Sequence, residues 1–96
     1  APAAFAPHRL HGAVDRLIVG PDRVLAVDFK TNRLAPTRAD RVPDGLLRQM
    51  AAYREMLRAV FPGRRVETAI LWTATAALMP LDDALLDAAL SRVTLP

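Results

Sequence analysis

The chain has no cysteine and only one lysine, Lys30, against twelve arginines. The first absence excludes disulfides and thiolate metal sites and is compatible with a reducing cytoplasm. Long apolar runs are also missing, so no segment reads as a membrane span, and the basic segment and apolar core of a signal peptide are not seen at the start. There are no internal repeats, and no low-complexity tract beyond an alanine bias. The Ala-Pro-rich opening has no initiator Met, and the chain is read as a piece cut from a longer polypeptide, with residues 1–96 forming a single partial domain.

Apolar residues make up 52% of the sequence and charged residues 24%, the balance of a folded chain and not of a disordered one. The net charge of +3 and the pI near 10.6 are carried by arginine. They favour an anionic partner such as DNA, although Arg and Ala richness also follows from genome composition. Lysine is the informative exception. Arginine stays protonated at any working pH, whereas lysine can shift its pKa, act as a point charge and position a water.

Two β-branched runs separated by Gly20-Pro21-Asp22 predict a hairpin over residues 9–30. A polar, proline-containing loop follows. Val42-Pro43-Asp44 then opens a helix over 44–61, with Asp44 as N-cap or first-turn acid and Pro62-Gly63 ending it. A strand over 66–73, a short strand over 77–81 and a helix over 82–91 complete the reading. The expected class is α/β, a mixed sheet flanked by helices.

A two-residue Pro21-Asp22 loop closed by Gly20 and Arg23 opposes residues whose numbers sum to 43. Asp15 then faces Asp28, and directly opposed Cβ atoms lie about 4.5–5.5 Å apart. Strand alternation adds Lys30 to the same face, with Leu17, Val19, Val24 and Ala26. The other face carries Val14, Ile18, Leu25, Val27 and Phe29, so the sheet is expected to be covered on both sides. Two opposed carboxylates destabilise a sheet unless something neutralises them, and a divalent cation with oxygen ligands does so. The competing reading of Asp28-x-Lys30 is a surface salt bridge, and a slip of register would break the opposition.

On the first helix, Leu46, Met50, Tyr53, Leu57 and Val60 form an amphipathic stripe that reads mainly as core. Gln49 and Tyr53 lie four apart at its edge and are placed either toward solvent and core or toward the acids. Arg54 and Arg58 read as a cationic pair on the outer face, with Arg64 and Arg65 just beyond; the choice there is between a solvated surface and phosphate contact. His8 and His11 lack the spacing of a paired metal site and read as structural.

Gly12-Ala13-Val14-Asp15-Arg16-Leu17, Val27-Asp28-Phe29-Lys30-Thr31 and Gln49-Met50-Ala51-Ala52-Tyr53 resemble three successive motifs of the PD-(D/E)xK nucleases. The similarity is to the RecB-like branch, and the helix to Pro62 and the Ala69–Thr73 strand look like the C-terminal nuclease domain of AddA-type helicase–nucleases of bacterial double-strand-break repair. The resemblance implies a restriction-endonuclease-like core and a Mg²⁺- or Mn²⁺-dependent DNA exonuclease, working beside an ATP-driven helicase motor and an AddB-type partner subunit. It assigns Asp15, Asp28 and the backbone carbonyl of Phe29 to the metal, Lys30 to the attacking water and the scissile phosphate, and Gln49 and Tyr53 to the shape of the site and to DNA. One departure stands out. Family members carry a helix with an acid, and in this branch often a His, well upstream of the first Asp, whereas here the fourteen residues before Asp15 contain no acid. The expectation is an N-terminally truncated core with an incomplete metal shell, weak or no cleavage alone, and an under-covered sheet face prone to self-association. Two alternatives are a catalytically silent nuclease-like module that binds DNA or a partner, and a purely structural domain.

Overall fold

A computed structural model describes residues 14–92. Within them, strands β1 (Arg16–Val19) and β2 (Arg23–Lys30) lead through a single 3₁₀ turn (Ala39–Arg41) to helix α1 (Asp44–Val60). Strands β3 (Arg65–Trp72) and β4 (Ala77–Leu81) and helix α2 (Asp83–Ser91) follow. The sheet order is β1-β2-β3-β4, antiparallel at both edges and parallel between β2 and β3. This is the mixed α/β architecture of a restriction-endonuclease-like core. Residues 9–13 of the expected hairpin, with His8 and His11, lie outside the described residues.

The hairpin has the register that its turn requires. Arg16 pairs with Val27, Leu17 with Ala26, Ile18 with Leu25 and Val19 with Val24. Gly20 N–H donates to the Arg23 carbonyl at 2.8 Å. A Cβ on Gly20 would stand 3.3 Å from that same oxygen, so the close approach favours glycine. The parallel step from β2 to β3 needs a crossover, and α1 supplies it.

Both helices lie on one face of the sheet. Val24 and Ala26 of β2 and Val66 of β3 pack against Leu57 of α1. Ile70, Trp72, Met79 and Leu81 pack with Leu47, Met50 and Tyr53 of α1 and with Leu86 and Ala89 of α2. The expectation that both faces are covered therefore fails among the described residues. The crossover helix can occupy only one side of its strands, and α2 docks on α1 rather than behind the sheet. Ile18 and Leu78, each 54% exposed, and Phe29 mark the bare face. Val14, expected on that bare face, instead packs toward the helices, because it precedes the strand and is not held to its alternation.

The helical stripe is also rotated from the expected one. Leu47, Met50, Ala51, Tyr53, Arg54 and Leu57 are buried, whereas Val60 is exposed in the last turn. No side chain caps the start of α1. Asp44 is its first-turn acid, and the Pro43 carbonyl accepts from Leu46 and Leu47. Phe61 caps the end of α1, its N–H reaching the Leu57 carbonyl at 2.8 Å, and Gly63, at φ +86°, supplies the left-handed residue of the turn that follows. At α2 the cap is a side chain: Asp82 accepts from Leu85 N–H at 2.8 Å.

Candidate active site

The parallel strands β2 and β3 end side by side, with Asp28 next to Ile70 and Lys30 next to Trp72. Asp15 lies one residue before β1. Its N–H donates to the Val27 carbonyl at 3.1 Å, which continues the ladder one step toward Asp28. Its side chain then turns to the strand opposite: Asp15 Oδ2 accepts from Phe29 N–H at 2.7 Å. The carboxylate thus replaces a backbone acceptor where the β1 ladder runs out.

Asp28 occupies the helix-covered face and is only 2% exposed. Lys30 Nζ lies 3.1 Å from Asp28 Oδ2, within ion-pair range. Its direction is poor, however, and Oδ2 accepts no hydrogen bond. Burial, above all, raises the carboxyl above its ordinary value of 3.8; a hydrogen bond with the Asp15 side chain adds to this, while Lys30 pulls the other way. Among the described residues the other buried side-chain oxygen without a partner is the Thr68 hydroxyl, which is neutral and costs less to bury. Two acids and a lysine are therefore gathered at the ends of parallel strands, with one buried carboxylate oxygen unsatisfied.

That orphaned oxygen, beside a second carboxylate, fits a hard divalent cation, which takes oxygen ligands and would relieve the repulsion between the acids. Strand alternation supports a third donor. Val27 directs its carbonyl toward β1, so Phe29, two residues on, directs its own carbonyl the same way, past the last ladder bond among the described residues. No group of three or more His, Cys, Asp or Glu side chains placed to hold a metal ion occurs among the described residues.

Gln49 and Tyr53 belong to the helix lying over this face. Gln49 Nε2 donates to the Tyr53 hydroxyl at 2.7 Å. The Tyr53 ring is buried with Ile70 and Trp72, the β3 neighbours of Asp28 and Lys30. The two side chains form one unit on the sheet face that carries the acids.

The arginines differ from expectation. Arg54, read from the sequence as an outward cation, is 2% exposed. It bridges α1 to α2, reaching Asp83 at 3.0 Å and Asp87 at 2.6 Å, with Glu55 at 2.8 Å. Burial pulls its pKa down, but the hydrogen bonds it donates to Asp87, Asp83 and Glu55 outweigh this and hold it above its ordinary value. Arg58 joins the same network through Glu55 and Asp83. The missed signal was the pair Asp83 and Asp87, spaced i, i+4 on the last helix to match Arg54 and Arg58 on the first. Arg64 stacks over the Phe61 ring at 5.3 Å, and Arg65 lies 3.8 Å from Glu67. Both stand near the start of β3, whose far end pairs with Lys30; the seven steps from Arg65 to Trp72 span roughly 23 Å at the usual rise per residue. Neither arginine is therefore placed to touch a phosphate held between Asp28 and Lys30.

No curated protein and no solved structure matches this chain. The family model of the PD-(D/E)XK nuclease superfamily does, over residues 3–92, a span that contains the opposed acids, the lysine and the whole described sheet. Members of that superfamily are generally nucleases that use divalent metal ions. With its mixed sheet, and with Asp15, Asp28 and Lys30 at the strand ends, the chain belongs to the PD-(D/E)XK nuclease superfamily.

Proposed function

We propose that this chain is the nuclease core of an AddA-type helicase–nuclease of the RecB-like branch, a metal-dependent deoxyribonuclease acting on DNA ends during double-strand-break processing. The observation that carries the metal-dependent reading is the Asp28 Oδ2 atom, buried and without a well-directed hydrogen bond, with Asp15 and Lys30 as its neighbours. The Gln49–Tyr53 pair supports the branch, because it reproduces that branch's Gln-x-x-x-Tyr spacing.

Asp15, Asp28 and the Phe29 carbonyl would hold Mg²⁺ or Mn²⁺. When bound, the ion supplies positive charge at the scissile phosphate and acidity for the attacking water. Lys30 Nζ has donors to spare beyond Asp28. It orients the water and meets the charge growing on the phosphate oxygens. Asp15 is tied to Phe29 N–H through Oδ2, which fixes its carboxylate beside Asp28. Gln49 and Tyr53 shape the wall of the site toward DNA. The partners of this reading are DNA and an AddB-type subunit, and its compartment is the cytoplasm. No described helix is long and apolar enough to cross a membrane.

A second reading has support of its own. At this site the described residues bring only two acids together, a thin shell for a catalytic ion, which favours a nuclease-like module that grips DNA or a partner without cutting. Calorimetric titration with Mn²⁺ tests the proposal. Binding that weakens in both Asp15→Asn and Asp28→Asn supports it. Binding that is absent from the unaltered chain, or indifferent to both changes, refutes the metal site and leaves the silent module.

A further inference from the structure

Thr73 follows β3 directly and stands beside the end of β2. Its N–H donates to the Lys30 carbonyl at 2.8 Å, and its Oγ1 donates to the same oxygen at 3.2 Å. Both lone pairs of the last carbonyl in β2 are thus taken by one residue. From the opposite side, Asp15 holds the preceding N–H, that of Phe29. The short stretch carrying Lys30 is clamped between a carboxylate on the β1 side and a threonine on the β3 side. Lys30 is the last residue of β2, paired with Trp72, and beyond it the chain leaves the sheet.

We propose that Thr73 is a positioning residue. By fixing the Lys30 carbonyl with both donors, it holds Lys30 Nζ at Asp28 Oδ2, ready for water and phosphate. The purpose of the clamp rests on the nuclease reading above, but the clamp itself can be tested apart from it.

The single lysine makes that test direct. Labelling with ¹³C,¹⁵N-lysine yields one residue's signals from the whole chain. Thr73→Val keeps shape and N–H but removes the hydroxyl, and Thr73→Ser keeps the hydroxyl. In the metal-free protein, Thr73→Val is expected to move the Lys30 carbonyl resonance and to broaden or shift its side-chain signals, while Thr73→Ser restores them. With Mn²⁺ and single-stranded DNA, kcat is expected to fall about fivefold in Thr73→Val, the factor for a net hydrogen bond of about 1 kcal/mol, with KM unchanged and recovery in Thr73→Ser. A Lys30 signal indifferent to Thr73→Val overturns the proposal. So does a kcat loss that Thr73→Ser fails to restore. A Lys30 signal that responds in a chain showing no Mn²⁺ binding supports the clamp and refutes the nuclease reading instead.

Discussion

Replacing Asp28 with asparagine should make the metal-free protein more stable while destroying its response to metal. In the folded chain Asp28 is 2% exposed and its Oδ2 accepts nothing. A buried acceptor left unsatisfied costs about 1–3 kcal/mol. The ion pair with Lys30, whose side chain is 32% exposed, offsets about 0.5–1 kcal/mol of that. An amide carries no charge to repel Asp15 and can donate to it, so the net gain is about 1 kcal/mol. For a chain of this size that raises Tm by about 4–8 °C. The pH dependence has a definite sign. Because the folded carboxyl sits above 3.8, the folded state keeps its proton where the unfolded state has lost it. Stability contributed by this group is thus complete below 3.8 and is lost as pH rises through the raised folded value. Asp28→Asn removes that falling limb. Mn²⁺ at ten times its dissociation constant adds about 1.4 kcal/mol to a protein that binds it only when folded. Thermal unfolding followed by circular dichroism at pH 7, in EDTA and then in Mn²⁺, measures both effects. A variant that melts lower than the parent in EDTA would show that Asp28 serves as a salt bridge. Equal stabilisation of both proteins by Mn²⁺ would show that Asp28 is no ligand.

Three further changes probe other parts of the molecule. Lys30→Met should leave Mn²⁺ affinity nearly intact and lower DNA cleavage by about a hundredfold or more, the usual loss when a proton-handling group is removed; calorimetry and a gel cleavage assay separate the two. Arg54→Ala should cost about 2–3 kcal/mol in urea unfolding, through lost packing and the broken link between α1 and α2. Arg54→Met, which keeps most of the volume, should recover over half of that loss, and DNA affinity should change in neither. Asp44 is held below the ordinary carboxylate range, first by its hydrogen bond with Arg92, so the stability it contributes is present above pH 3.8 and disappears as pH falls through the lowered value. Arg92→Ala should therefore flatten the acid side of the melting profile, which a series of melts from pH 2 to 6 would reveal.

The constellation was legible because a tight turn fixes a register. Once Pro21-Asp22 closes between Gly20 and Arg23, Asp15 has to approach Asp28, and alternation adds Lys30. The helices were legible as elements, though not in their facing. Val60 fits a helical stripe, yet it is exposed, while Leu57 before it and Phe61 after it take the contact with the sheet. Arg54 broke the stripe because a pattern of apolar residues gives no place to a cation whose stem packs as carbon and whose head finds acids 29 and 33 residues away. The clamp on Lys30 was hidden for a different reason. It joins Thr73 to a backbone carbonyl 43 residues earlier, and nothing in residue type marks which carbonyl a threonine will meet.

Arg54 and Asp28 are buried to the same extent and show why burial alone does not identify a site. Each is an ionisable group taken almost wholly out of water. Around Arg54 the fold provides three carboxylates, all of them also in contact with solvent, so its donors are met and removing a partner returns an acid to water. Around Asp28 it provides a second acid of the same sign and a lysine whose Nζ stands 3.1 Å from Oδ2 without a well-directed hydrogen bond. Under the proposed metal-dependent reading, an oxygen-seeking cation held by Asp15, Asp28 and the Phe29 carbonyl would relieve that burial.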